Sequence, residues 1–116
     1  MPGVHELSLV EGMLALVEDE RRRQDFSRVR AICVHVGALG HVEPDALRFC
    51  FDAVTRGTIA DGAQLTIVTI PGEGSCSGCH RVVPLDERFA ACPLCGSTQI
   101  RMTAGDELRL AELEVE

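Results

Sequence analysis

Cysteine and histidine are the residues of this chain whose chemistry reaches beyond packing, and four of its six cysteines fall in a regular pattern. Cys76-Ser77-Gly78-Cys79 and Cys92-Pro93-Leu94-Cys95-Gly96 are two C-x-x-C pairs with twelve residues between them. A C-x-x-C turn puts two thiolates on one side of an ion, and a second turn completes a tetrahedron with sulfur at about 2.3 Å from zinc. Gly78 and Gly96 let the backbone curl so that N–H groups can point at sulfur. The spacing is slightly shorter than the usual range for such sites, which predicts a compact hairpin between the knuckles. Val82, Val83, Leu85 and Phe89 are available to pack behind it. With Cys76, Cys79, Cys92 and Cys95 all binding, no position stays open for water. The zinc is then structural, supporting a segment too small for its own core.

Other chemistries use similar residues. Disulfides need an oxidising compartment, which nothing in the sequence suggests. An iron–sulfur cluster also takes four cysteines, and spacing alone does not separate it from zinc. Cys76-Ser77-Gly78-Cys79-His80 is a literal haem-attachment string, but haem leaves Cys92 and Cys95 without a role. His80 is read instead as a neighbour of the site or an exposed residue. Cys33 and Cys50 lie outside the knuckles and read as small core residues, since free cysteine is often buried.

The elements that must carry these residues follow from periodicity. Leu9, Val10, Met13, Leu14 and Val17 predict an amphipathic helix over 7–24, and a Ser8/Glu11 capping box would start it near residue 9. Glu18 to Arg23 is its solvated end. Residues 28–36 alternate, with Ile32, Val34 and Val36 on one face and Cys33 and His35 on the other, which predicts a half-buried strand. A turn over 37–41 leads to a helix opened by Glu43-Pro44-Asp45. Leu47, Phe51 and Val54 form its inner face, with Cys50 beside them, and Gly57 stops it. Residues 63–70 predict another strand, with Leu65, Ile67 and one of Thr69 and Ile70 near a core. Pro71-Gly72-Glu73-Gly74 reads as a linker. Leu108 and Leu110 alternate in one phase and Leu113 and Val115 in the other, so a strand over 107–116 needs a bulge near Ala111-Glu112.

The predicted fold is α+β. A small mixed sheet with two helices (1–72 and 100–116) carries an inserted rubredoxin-like or zinc-ribbon segment (73–99). Apolar residues make up 46% of the 116 and aromatic ones 3%, so the core must be aliphatic. A net charge of −7 argues against phosphate backbones as partners. No apolar run is long enough to span a membrane, and no signal peptide is read at the N-terminus, so a reducing cytoplasmic location is expected. No nucleophile–base pair and no phosphate-binding glycine loop is present, so an enzyme is not expected.

Taken in order, the motifs resemble the HypA/HybF family of hydrogenase nickel-insertion proteins. The resemblance rests on His5-Glu6 ahead of the first helix, Gly37-Ala38-Leu39-Gly40-His41-Val42-Glu43-Pro44, Leu47-Arg48-Phe49-Cys50-Phe51-Asp52-Ala53, the two knuckles, and Gly105-Asp106-Glu107-Leu108 before an acidic tail. It implies a nickel metallochaperone with transported Ni²⁺ at His5 and Glu6 and structural Zn²⁺ at the four cysteines. It also implies delivery to the large subunit of [NiFe]-hydrogenase with a HypB-type GTPase, and urease maturation proteins as further partners. His35 and His41 receive no ligand role. The reading from another class is a zinc-ribbon interaction adaptor without nickel.

The family's nickel site is an N-terminal Met-His-Glu, where a terminal amine, a backbone nitrogen and an imidazole chelate together, a donor set that suits Ni²⁺. Here Pro2-Gly3-Val4 precede His5, and Pro2 has no amide N–H to lose. Val4, if encoded by the start codon GTG, would initiate the chain as Met and restore Met-His-Glu. Loss of Met1 and Pro2 would instead expose Gly3-Val4-His5, also a chelating arrangement. Intact-mass measurement of the native protein checks the first reading: a mass that begins at position 4 is expected, and a product retaining Pro2-Gly3 contradicts it.

Overall fold

The computed structural model describes residues 4–87 and 90–116, with the backbone alone at Val4. The expectations placed on Met1, Pro2, Gly3 and Phe89 lie outside the described residues. In chain order the elements are α1 (Val4–Gln24), β1 (Val29–Gly37), a 3₁₀ turn (Ala38–Gly40), α2 (Pro44–Val54), β2 (Gln64–Ile70), β3 (Gly72–Cys76), β4 (Val82–Leu85), β5 (Ile100–Ala104) and β6 (Leu108–Val115). They form two three-stranded sheets, ordered β2-β1-β6 and β4-β3-β5. The chain divides into two compact units. One holds the residues up to His35, Val42–Val68 and Leu108–Glu116; the other holds Val36–His41 and Thr69–Glu107. Among the described residues no helix is long and apolar enough to cross a membrane.

In the first unit α1 buries Val10, Met13 and Val17, and Glu6 occupies the same stripe one turn earlier. Leu9 and Leu14 are half-buried beside it. The helix therefore starts at Val4 rather than near residue 9, and Ser8 is an exposed mid-helix residue instead of a cap. Extending a formed helix by one turn costs little, and Glu6 in the first turn favours the positive end of the dipole. His5 thus lies within α1 and not ahead of it. Arg21, Arg22 and Arg23 complement the other end, and Asp25 closes the helix at φ 53 with its N–H on the Arg21 carbonyl.

β1 runs antiparallel to β6. The Glu116 N–H donates to the Arg28 carbonyl at 2.9 Å, and at the far end the Gly37 N–H donates to the Glu107 carbonyl at 2.7 Å. Ile32, Val34 and Val36 are buried and Cys33 and His35 half-buried, as the alternation predicts. Along β6 the half-buried positions are Leu108 and Leu110, then Ala111, Leu113 and Val115. The phase shift falls between Leu110 and Ala111, one residue before the expected place. At α2, Glu43 is the N-cap, its carboxylate accepting from the Asp45 N–H, and Pro44 opens the helix. Leu47, Cys50 and Phe51 are buried, and the Thr55 hydroxyl caps the Phe51 carbonyl at 2.7 Å. Leu65 is buried and Ile67 and Ile70 half-buried on β2, while Thr69 is exposed.

The second unit is larger than the expected 73–99 insertion. Gly72–Cys76, whose first three residues read as the end of a linker, is the central strand of the second sheet, pairing antiparallel with β4 (Ser75 opposite Val82) and with β5 (Cys76 opposite Ile100). β5 therefore belongs with the knuckles, and the chain rejoins the first unit at Leu108. Glycine hid this strand. A Cβ on Gly74 would meet Ile100 Cγ2 at 2.5 Å and Leu85 Cδ1 at 2.7 Å, so these side chains fill the space that glycine leaves. Leu39, on the 3₁₀ turn, donates its N–H to the Gly105 carbonyl at 2.6 Å. Its side chain joins Val83, Leu85, Cys76 and Cys92 in the unit's core.

A Cβ on Gly37 would run into the backbone carbonyl of Gly105 and the nitrogen of Asp106, neither of which is a flexible side chain. Gly37→Ala is expected to destabilise the protein by about 2 kcal/mol or more, measured as a lowered urea midpoint with an unchanged slope.

Candidate metal centre

The four knuckle sulfurs converge. The Sγ atoms of Cys76, Cys79, Cys92 and Cys95 all lie within 4.8 Å of one another. Cys76 Sγ is 3.6 Å from Cys95 Sγ, and Cys79 Sγ is 3.8 Å from Cys92 Sγ. A tetrahedron with metal–sulfur bonds of about 2.3 Å has edges of about 3.8 Å. The sulfurs are thus spaced for one ion held by four thiolates.

The backbone brings them there by the same turn used twice. At the end of β3, the Cys76 carbonyl accepts from the His80 N–H at 2.9 Å, and the Cys76 N–H donates to the Arg81 carbonyl at 2.9 Å. In the second knuckle the Cys92 carbonyl accepts from the Gly96 N–H at 2.9 Å, and the Cys92 N–H donates to the Ser97 carbonyl at 2.8 Å. In each case the residue after the second cysteine turns left-handed, His80 at φ 58 and Gly96 at φ 77. Glycine does this freely; histidine accepts a cost. The histidine of the haem-like string is therefore the residue that ends a knuckle, and its side chain is exposed. Gly78 has another role. A Cβ there would sit 2.8 Å from Ser97 Cβ and 3.3 Å from Cys95 Sγ, so its absence lets the two knuckles approach.

Electrostatics divides the cysteines into one ready thiolate and one resistant thiol per knuckle. The N–H of Cys79 holds the Cys76 thiolate, against burial and with help from the Gly78 N–H and the sulfurs of Cys95 and Cys92, and lowers it to about 6. At Cys92 burial pushes the thiol up, but the N–H groups of Cys95 and Leu94 more than offset this and lower it. The Leu94 N–H lies 3.4 Å from Cys92 Sγ. Burial, then the neighbouring sulfurs, push Cys79 up to about 12. Cys95 is assisted by the Ser97 N–H, yet the Cys76 sulfur, burial and the Cys92 sulfur together raise it. A divalent cation offsets the repulsion that four clustered thiolates would otherwise feel.

Val83 and Leu85 pack behind the sulfurs as expected, with Ala90, Ile100 and Met102 partly buried against them. Val82 does not; on a strand it points the other way and is exposed. Cys50 is buried on α2 and Cys33 half-buried on β1, both apart from the cluster. His5 is exposed on the first turn of α1, and Glu6, its neighbour in sequence, is 5% exposed. Consecutive helical residues point about 100° apart, so the two side chains diverge. His35 has its Nδ1 3.3 Å from Arg109 Nη2, and His41 closes the 3₁₀ turn at φ 56. The sulfur-directed N–H groups were not anticipated residue by residue. The repeated offset from Cys76 to His80 and from Cys92 to Gly96 was a signal that could have found them.

A family model described as "Hydrogenase/urease nickel incorporation, metallochaperone, hypA" matches residues 4–115. The chain is 70% identical over 113 residues to a hydrogenase maturation factor HypA of Methylocella silvestris, covering 97% of this chain and all of that one. It is 50% identical to the protein of the same name from Dechloromonas aromatica, with the same coverage. Among solved structures, the Ni metallochaperone HypA from Helicobacter pylori superposes with a TM-score of 0.73 at 24% identity, covering 95% of this chain and 96% of that one, a likeness of fold.

Two variants test the centre. Cys76→Ser should lose bound metal at least about tenfold by elemental analysis and unfold residues 75–99, since one ligand of a closed shell is gone; unchanged metal content contradicts the assignment. His80→Gly should keep the metal and be neutral to about 1 kcal/mol more stable, because glycine accepts the left-handed turn.

Proposed function

The chain belongs to the HypA family of hydrogenase/urease nickel metallochaperones, proteins that carry metal and are not enzymes, and from that premise we propose that it takes up Ni²⁺ at the first turn of α1 through His5 and Glu6. The observation that carries this is the position of His5, exposed on the first described turn of α1. A metal can replace the proton of an amide whose N–H is not committed to a helix bond. The His5 imidazole, its own amide nitrogen and a neighbouring nitrogen form the planar nitrogen set that Ni²⁺ favours. Glu6 faces inward with the buried stripe. It anchors the turn while nickel is absent and reaches the ion once the turn opens.

An open site of this kind releases its ion readily, as a carrier must. The four-thiolate centre plays the opposite part. Zn²⁺ is its proposed occupant: the sulfur spacing and the closed shell fit a redox-inert ion that supplies folding energy. We assign delivery to a hydrogenase large subunit, together with a HypB-type GTPase and with urease maturation proteins as further partners, in the cytoplasm. Four cysteines gathered as metal ligands are in keeping with a reducing compartment.

Titration of Ni²⁺ into zinc-loaded protein tests the assignment. His5→Ala should weaken nickel binding at least about tenfold, the loss of one imidazole donor, with zinc content unchanged. Undiminished affinity in the variant would remove the site from α1.

A further inference from the structure

β6 is the last strand of its sheet, and among the described residues no strand lies along its outer edge. Such an edge offers a row of N–H and C=O groups to an added strand. Glu112, Glu114 and Glu116 are exposed along it, while Leu113 and Val115 are half-buried. Together with Glu20 and Gln24 of α1 and with Phe26, Leu113 and Val115 line an open groove of about 290 Å³. The groove is open and at the lower end of the roughly 300–1,000 Å³ of drug-sized pockets. It suits the alternate side chains of a strand.

We propose that the β6 edge is a docking site for an extended segment of a partner protein, one that alternates apolar with Lys or Arg side chains and adds to the sheet as a fourth strand. Charge decides the occupant. Glu112, Glu114 and Glu116 place carboxylates along the C-terminal half of the edge, with Arg30 3.9 Å from Glu114 and Arg109 earlier on the strand, Glu20 adds a carboxylate from α1, and the chain carries −7 overall. Glu20 accepts from Gln24 Nε2 at 2.8 Å and pairs with Arg23 Nη1 at 3.5 Å, which positions its carboxylate beside the groove. A second copy of β6 is disfavoured over the acidic half of the strand that lines the groove. Antiparallel pairing about Glu114 would set Glu112 opposite Glu116 and Glu114 opposite itself, and like charges directly opposite destabilise a sheet. A cationic strand meets complementary charge instead, while backbone bonds supply affinity and the apolar groove reads alternate side chains. Glu20 lies fifteen residues after His5 on α1, about 22 Å along the helix axis. Docking and nickel uptake therefore occupy opposite ends of the helix.

The full chain is titrated into a fluorescein-labelled peptide, Lys-Val-Lys-Val-Lys-Val-Lys with blocked ends, and followed by anisotropy. Saturable binding is expected, weakened at least about tenfold by Glu112→Lys, absent when glutamate replaces lysine in the peptide, and absent when alternate peptide nitrogens are methylated. Slowed amide exchange confined to β6 should accompany it. Equal binding by Glu112→Lys, equal binding of the acidic or methylated peptide, no binding at all, or self-association of the chain through β6 would overturn the proposal. Nickel titration of Glu112→Lys should match the parent chain, so failure here is separable from failure at His5.

Discussion

Closing a shell of four sulfurs is the constraint from which the second unit takes its shape. Cys76 and Cys79 come from the turn between β3 and β4, Cys92 and Cys95 from the segment between β4 and β5, and their sulfurs meet within 4.8 Å of one another. Among the described residues few apolar side chains are on hand to enforce that meeting. Leu39, Val83 and Leu85 are the large buried ones among them, and Leu39 comes from a distant turn. Everything tight in the unit follows from the shell: Gly78 for approach, left-handed turns at His80 and Gly96, and backbone N–H groups aimed at Cys76 and Cys92. Without a cation, two of the four thiols resist ionising because burial and neighbouring sulfur oppose the charge. The arrangement is therefore one that a metal completes.

The first unit solves a different problem. Val10, Met13 and Val17 of α1, with Val29, Ile32, Val34, Leu47 and Phe51, give it a largely aliphatic core built from apolar side chains rather than metal ligands. His5, on the first described turn of α1, lies at the surface. Under the proposed function, four anionic sulfurs in a closed shell would hold one ion firmly, whereas an imidazole and backbone nitrogens on an exposed turn would hold the other loosely. A carrier needs that difference, since the ion that shapes the protein must not be the ion it gives away.

The sequence was most informative where side-chain type alone decides structure. The cysteine spacing identified all four converging sulfurs, and the alternation of Ile32, Val34 and Val36 identified β1. Pro44 marked the start of α2 because a missing N–H suits only that position. It was least informative where glycine or long-range packing decides. Gly72 and Gly74 read as linker, yet they form the centre of a sheet because neighbouring side chains need the space. The Ser8/Glu11 pattern suggested a start that the turn holding Glu6 overrides. Ile100–Ala104 has strand periodicity, but periodicity does not name a partner, and it pairs with β3 rather than joining the first sheet. The inward turn of Glu6 was likewise invisible, since a glutamate gives no sign of burial.

Zinc K-edge X-ray absorption on the purified full chain tests the central claim most directly, because it counts the ligands on the ion proposed for the four sulfurs. Four sulfur scatterers at about 2.3 Å, with no nitrogen or oxygen in the shell, is the expected result. A shell containing nitrogen or oxygen, an iron signal with metal–metal scattering, or no zinc in stoichiometric amount would contradict it.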